Sequence, residues 1–238
     1  MPKRFVVVSP DFPDLPRFPV GFELAEALTV AARQLHETAT PHSTLRTAVR
    51  LAVHILPGAE HAGISEIERP HHHRTIVWTD EVVRSAEAKT TGREHQLWTT
   101  PVLRVEDSEA GGADTALADA GLRSALALRL RSDRRRLTVL TAYARKPNVF
   151  DEAATRIGRL FTAHVSLALE SATTREQLTE AMRTRDLIGQ ATGILMERLD
   201  IDAAEAFDSL VRASQRENVK LRDIARRIVD TNKHDNDA

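Results

Sequence analysis

Between Val149 and Leu199 the sequence reads VFDEAATRIGRLFTAHVSLALESATTREQLTEAMRTRDLIGQATGILMERL and contains no proline. Apolar residues recur along it every three or four positions, which predicts a single long helix with an apolar face. Such a helix would be about 70 Å long, because each residue adds about 1.5 Å. A compact domain covers only part of that length. We therefore expect a homodimer that forms through the stripe from Ile157 to Met182.

Two glycines, Gly189 and Gly193, lie four residues apart near the end of this predicted helix. Each one costs roughly 1 kcal/mol relative to alanine in a helix interior. Their spacing of one turn leaves a bare patch on one side of the helix. Two explanations are open: another helix packs closely against the patch, or a nucleic acid approaches the backbone there.

Two shorter helices are predicted after Leu199. Asp200 and Asp202 are candidate caps for the segment DIDAAEAFDSLVRASQREN, which places Ala206, Phe207 and Leu210 on its apolar side. The segment VKLRDIARRIVD forms the next helix, and residues 232–238 are expected to be a disordered tail. The chain from residue 186 to 231 is thus predicted to be a bundle of three helices.

The chain upstream of Val149 has a mixed pattern. Residues 1–22 include four prolines within SPDFPDLPRFP and are expected to be an irregular extension. Helical periodicity covers Phe22 to His36 and Leu45 to Leu56. Strand patterns follow in HAGISEIE and RTIVWT, and then in SALALRLR and LTVLTAYA, which flank a polar hairpin turn. This region is predicted to be α+β, an antiparallel sheet with flanking helices.

Composition limits the classes of function. The 238 residues contain 33 Lys and Arg, 34 Asp and Glu, and no cysteine, which excludes disulfides, thiolate zinc sites and cysteine nucleophiles. No apolar run approaches the roughly 20 residues of a membrane span, and the first residues lack a signal-peptide core, so we expect a cytoplasmic protein with no membrane partner.

No catalytic or metal motif stands out either. The sequence has no phosphate-binding glycine loop, no nucleophile elbow and no HExxH, and it is predicted not to be an enzyme. His71 to His73 are adjacent, and neighbouring side chains on a strand cannot all face one ion, so a solvated turn is expected there and no metal site. No cofactor is assigned.

The stretch from Ile188 to Val229 resembles an ANTAR domain, the RNA-binding module of transcription antitermination regulators. The family pattern is Ala-x-Gly-Ile-Leu-Met, then Ala-Phe-x-x-Leu, then Leu-x-x-x-Ala. The matching residues are Ala191, Gly193, Ile194, Leu195, Met196, Ala206, Phe207, Leu210, Leu221 and Ala225. Many members have a lysine where this chain has Thr192. The resemblance implies binding to paired hairpin loops in a nascent transcript, which promotes antitermination.

The region from about Glu23 to Glu170 resembles the GAF sensor domain of actinobacterial GAF-ANTAR proteins, in LPGAEHAGISEIE, WTDEVV, GLRSALALRLR and VFDEAATRIGRLFTAHVSLAL. Relatives usually have Gly-Glu-Gly-Pro-Cys where this chain has TGREHQLWTTPV, so we expect no tight nucleotide site. A small molecule or a protein is the implied signal. The expected organisation is a GAF-like domain at 23–170, a signalling helix at 171–185 and an ANTAR domain at 186–231.

Charge and periodicity together suggest an RNA-binding face. The segment from Arg212 to Arg227 is locally basic, although the C-terminal region as a whole is nearly neutral. Leu187, Ile188, Ala191, Ile194 and Leu195, with Leu221, Ile224, Ala225 and Ile228, are expected to point into the bundle. The remaining polar residues would bind RNA, with cations on phosphates and amides on base edges: Arg185, Gln190, Thr192, Arg198, Asn218, Lys220, Arg222 and Arg226.

Two other regulators fit part of this pattern. In a DNA-binding regulator, LRDIARRIV would be the first helix of a helix-turn-helix, but only DTNKHDNDA follows it in place of a recognition helix. In a protein-binding regulator, the C-terminal helices would serve mainly for dimerisation. Salt-dependent binding to RNA separates this second regulator from the antitermination hypothesis.

Overall fold

The computed structural model describes residues 22–68, 72–89, 94–110 and 115–236. The predicted extension, apart from residue 22, and His71 lie outside these ranges, as does the start of the segment that replaces Gly-Glu-Gly-Pro-Cys. The elements are α1 (Phe22–His36), α2 (Pro41–Ile55), β1 (His61–Glu68), β2 (His72–Trp78), α3 (Glu81–Lys89), α4 (Glu94–Thr99), β3 (Val102–Val105), α5 (Thr115–Asp119), β4 (Ser124–Ser132), β5 (Arg136–Ala144), α6 (Glu152–Leu199), α7 (Ala203–Glu217) and α8 (Leu221–Asn236).

The five strands form one antiparallel sheet in the order β2-β1-β5-β4-β3. The predicted hairpin joins β4 to β5, and the Asp133 carboxylate accepts hydrogen bonds from the backbone N–H groups of Arg135 and Arg136, both at 2.8 Å. These two bonds hold the pKa of the Asp133 carboxyl below its usual range. β5 is buried along nearly its whole length because it lies at the centre of the sheet.

Helices cover both faces of this sheet. The main core joins α1, α2 and the first part of α6 to one face, whereas α3 and α5 pack on the other around Tyr143. The sequence predicts the start of α2 at Leu45, but the helix begins at Pro41. Thr40 caps it by accepting a hydrogen bond from the Ser43 N–H at 3.1 Å, and proline is well suited to the first helical position.

The long helix α6 is continuous over 48 residues, about 72 Å at the usual rise. The Asp151 carboxylate caps its start by accepting from the Ala154 N–H at 2.7 Å. Phe161, Val165 and Ala168 are fully buried in the core of the sheet domain of the same chain. Of the predicted stripe from Ile157 to Met182, Phe161 and Val165 thus complete the core of their own domain. Leu160 and Leu167 in its first half are 43% and 60% exposed, and the homodimer stays a prediction.

α7 and α8 pack against the C-terminal end of α6 and form the predicted three-helix bundle. Asp202 caps α7, and Asn218 ends it in the left-handed conformation with φ 53°. The sequence predicts a disordered tail from residue 232, but α8 continues to Asn236. No proline or glycine follows Thr231, so nothing in the local sequence breaks the helix there. Within the described ranges, no helix combines the length and apolarity needed to cross a membrane.

Candidate nucleic-acid interface

The residues that the sequence predicts to point into the helical bundle are buried or partly buried there. Ala191, Ile224 and Ala225 are buried in its small core. The other residues predicted to point inward are partly buried against that core: Leu187, Ile188, Ile194, Leu195, Leu221 and Ile228. The polar residues between them are therefore available on the outside of the bundle.

On α6, the four residues predicted to contact RNA do not form one continuous surface. Each residue turns an α-helix by about 100°, so Arg185 and Thr192 lie on one side, whereas Gln190 and Arg198 lie about 140° away in either direction. Arg185, Gln190 and Arg198 are exposed. Arg198 donates a hydrogen bond to the Asn232 side-chain oxygen at 2.8 Å, which joins the ends of α6 and α8.

Thr192 lies at the position where the ANTAR resemblance implies a lysine in many members. Its side chain is partly buried, and its hydroxyl donates to the Ile188 carbonyl one turn earlier at 2.8 Å. This intrahelical bond satisfies the hydroxyl, as is common for threonine inside a helix. Thr192 thus presents mainly a methyl group where a lysine would present a charge.

At the α7–α8 corner, the predicted cations are close in the chain, and Arg222 and Arg226 lie beside the same carboxylate. Lys220 and Arg226 are exposed, and Arg222 lies partly buried between them. The Arg222 guanidinium lies 3.8 Å from a Glu180 carboxylate oxygen on α6, and Asp223 lies 3.8 Å from Arg222 and 3.9 Å from Arg226. Two of the three cations are therefore already beside carboxylates, at distances that indicate weak pairs.

The predicted role of the glycines in packing α8 against α6 is wrong. Both glycines are exposed, and a Cβ atom added to Gly189 or Gly193 would meet no atom within 4 Å. The bundle core lies on another side of α6. Gly158, in the same helix, does lie in a close packing contact. A Cβ there would lie 2.6 Å from Leu128 Cδ1 and 3.3 Å from Leu56 Cδ2.

A second site that the sequence analysis missed lies in the sheet domain. Glu87 on α3 is 4% exposed, and its carboxylate accepts hydrogen bonds from the hydroxyls of Ser65, Thr75 (2.8 Å) and Tyr143 (2.6 Å). α3 approaches β1 closely at Gly63, where a Cβ would lie 2.7 Å from Val83 Cγ1. Nothing in the local sequence distinguishes Glu87 from a solvated helix residue, since its partners come from three strands.

The Glu87 carboxylate lines a narrow cavity of about 40 Å³, together with Ile67, Leu97 and Val139. One water needs about 10–15 Å³ by this measure, so the cavity has room for a few water molecules. A nucleotide is much larger than that. Among the described residues, no cluster of three His, Asp or Glu side chains has the arrangement of a metal site.

One continuous helix, α6, joins the sheet domain to the three-helix bundle. Family models match the chain as a GAF domain over residues 38–170 and as an ANTAR domain over residues 176–229. The chain belongs to the GAF domain family and has the GAF-ANTAR architecture. A search of curated proteins found no match.

Solved structures share the fold at low sequence identity. The chromophore-binding domain of an unusual bacteriophytochrome from R. palustris aligns with a TM-score of 0.53 and 11% identity, over 64% of this chain and 63% of that one. The longer R. palustris bacteriophytochrome structure gives 0.60 and 13%, over 83% of this chain and 47% of that one. The chain thus spans less than two thirds of either structure. The GAF domain of an Acinetobacter phosphoenolpyruvate-protein phosphotransferase gives 0.51 and 14%, over 65% and 97%.

Proposed function

We propose that this protein is a transcription regulator that binds hairpin loops in nascent RNA through residues 176–229 and promotes antitermination under the control of its GAF domain. The observation that carries the proposal is the ANTAR match, which spans the second half of α6, all of α7 and the first half of α8. Unpaired loop bases can be contacted by side chains, whereas an A-form stem offers mainly phosphates and shape.

The RNA-binding residues of this proposal are centred on the α7–α8 corner. Lys220, Arg222 and Arg226 contact phosphates, and Arg185 extends the surface onto α6. Asn218 lies at the turn, where its backbone ends α7 and its exposed side chain remains free to contact a base edge. RNA phosphate would compete with Glu180 for Arg222, which is possible because the existing pair is long and exposed.

A dimer supports binding to two loops. Leu178 and Met182 are 61% and 60% exposed on α6, beyond the region that the GAF domain covers. A second copy packed on these residues would bring two ANTAR domains together. The second loop contact then becomes intramolecular, with an effective concentration in the millimolar range for a short linkage.

The continuity of α6 supports the proposed control by the GAF domain. The helix is part of the GAF core through Leu169 and of the ANTAR core from Leu187, with no break between them. A shift of α6 against the sheet is therefore transmitted to the RNA-binding end as a rigid movement. The signal is proposed to be a small ligand or a protein, because the cavity beside Glu87 is too small for a nucleotide.

The test is the salt dependence of RNA binding by the full chain. Lys220→Ala and Arg222→Ala are each expected to weaken binding to a two-hairpin RNA and to reduce the slope of log K against log salt by about 0.7 per lost phosphate contact. Arg156→Ala is the matched control, since Arg156 is an exposed arginine at the other end of α6. If both variants bind like the native chain at physiological salt, this surface is not the RNA site. If the native chain binds no RNA yet dimerises, the dimerising protein-binding regulator is favoured.

A further inference from the structure

Phe207 occupies an unusual position in the bundle. It is the one aromatic residue in the sequence between 176 and 229. The sequence pattern places it on the apolar side of α7, but the structure leaves it 42% exposed, whereas Ala206 and Leu210 beside it are 0% and 1% exposed. A small core normally uses its largest apolar side chain, because burial of a phenyl ring is among the strongest stabilising contributions available. The exposed ring therefore suggests a binding role.

The exposed ring lies in an open groove of about 720 Å³ between α6 and α7, named here the Phe207 groove. Phe207, Ile188 and Ala181 supply its apolar surface. Polar and charged side chains of α6 also line it: Glu176, Gln177, Glu180, Thr184 and Arg185. The groove thus combines an aromatic ring with hydrogen-bonding groups of both donor and acceptor type.

We propose that the Phe207 groove receives one unpaired base of the RNA loop, which stacks on the Phe207 ring. This inference rests on the proposed function and names a contact within it. A base is neutral and planar, and its polar edge carries both donors and acceptors, so it matches an apolar groove lined by an amide, two carboxylates and an arginine.

The charges around the groove favour a base over a phosphate inside it. Glu176 and Glu180 would repel a phosphate but accept hydrogen bonds from the amino group of a base. Arg185 lines the groove, and Arg222 is linked to it through Glu180 at 3.8 Å. Both cations are therefore placed to bind the phosphates that flank a base held in the groove.

A second copy of the chain is a poorer occupant. Ile188 lies about 80° round α6 from Leu178 and about 120° from Met182, since each residue turns the helix by about 100°. A partner helix centred on Leu178 and Met182 would cover a neighbouring side of α6. Arg185 lies about 20° from Leu178 and would border that partner. The part of the Phe207 groove around Ile188 and Phe207 would remain open in the dimer, one groove for each copy.

The experiment compares two substitutions of Phe207 in the chain of 238 residues. The probe is a two-hairpin RNA selected from a pool with randomised loops for binding to the native chain. Phe207→Tyr keeps the ring and is expected to bind within about twofold of native. Phe207→Leu keeps an apolar side chain without a ring and is expected to bind about 5- to 150-fold more weakly, the range for one base stacked on an aromatic side chain.

Two further measurements separate stacking from a structural effect. Phe207→Leu should keep the native salt slope, because no phosphate contact is lost, whereas Arg222→Ala reduces it. A 2-aminopurine substituted at successive loop positions should be quenched by the native chain at one position, and Phe207→Leu should abolish that quenching. The melting temperatures of both Phe207 variants should stay within a few degrees of native, consistent with a ring outside the core.

The inference is overturned if Phe207→Leu binds the selected RNA like the native chain, if Tyr and Leu weaken binding equally, or if Phe207→Leu converts a dimer to a monomer. The last result would assign the groove to a second copy. If the native chain selects no RNA from the pool, the proposed function fails and this inference fails with it. RNA binding by the native chain therefore distinguishes failure of the proposed function from failure of this inference alone.

Discussion

Alanine at Gly189 and Gly193 should stabilise the protein. A glycine in a helix interior costs about 0.5–1 kcal/mol relative to alanine, because it loses more backbone entropy on folding. Neither position has a positive φ, and an added Cβ meets no atom within 4 Å at either one. The full gain should therefore appear, about 1–2 kcal/mol for the double variant.

Gly158→Ala is the matched control, since the same substitution is made in the same helix. Its helix-propensity gain is equal, but the new Cβ would lie 2.6 Å from Leu128 Cδ1 in the buried core. Overpacking of a core costs about 1–3 kcal/mol, which cancels or exceeds the gain. The stability of Gly158→Ala should thus fall below that of Gly189→Ala, by about 1–3 kcal/mol.

Thermal unfolding of the full chain by circular dichroism measures the difference. For a protein of this size, 1 kcal/mol shifts Tm by about 2–4 °C, so the double variant should melt about 2–8 °C above native. A fall in Tm would refute the reasoning, because it would place a packing partner on the glycine face. RNA binding by the same double variant then tests the other explanation, that RNA approaches the helix backbone at the two glycines. A loss of affinity without a loss of stability would assign the bare patch to RNA.

Three other predictions test the remaining parts of the molecule. Glu substitutions at Leu178 and Met182 together should give a monomer by light scattering, and a native chain that is itself monomeric at micromolar concentration would contradict the dimer. Cyclic nucleotides should leave Tm unchanged, because no tight nucleotide site is expected. A ligand bound at 100 times its Kd would add about 2.7 kcal/mol of stability, so a clear rise in Tm would contradict this. Asp107→Asn should lower stability at pH 7, with a difference from native that shrinks below about pH 4. The Arg123 guanidinium, 2.7 Å away, and the Glu109 N–H lower the pKa of the Asp107 carboxyl, so its stabilisation is present above the unfolded pKa and lost as pH falls through the folded one. A difference in unfolding free energy that stays constant down to pH 2 would contradict this.

Local signals in the sequence were sufficient for most of the secondary structure. Helix α1 and strand β1 have the predicted bounds, and α6 is continuous as its lack of proline indicates. Asp202 caps α7 as its position before an apolar run suggests. These features depend on residues a few positions apart, so period, caps and breakers contain the necessary information. The ANTAR and GAF resemblances are likewise confirmed by the family models.

Long-range packing decides the features that local sequence patterns do not predict. Periodicity along α6 shows which residues share an apolar face, but it does not show that the GAF domain buries part of that face as far as Leu169. The exposure of Gly189 and Phe207 depends on where α7 and α8 pack. The burial of Glu87 depends on hydroxyls from three separate strands. Each of these features is set by contacts between distant segments, which only the folded chain brings together.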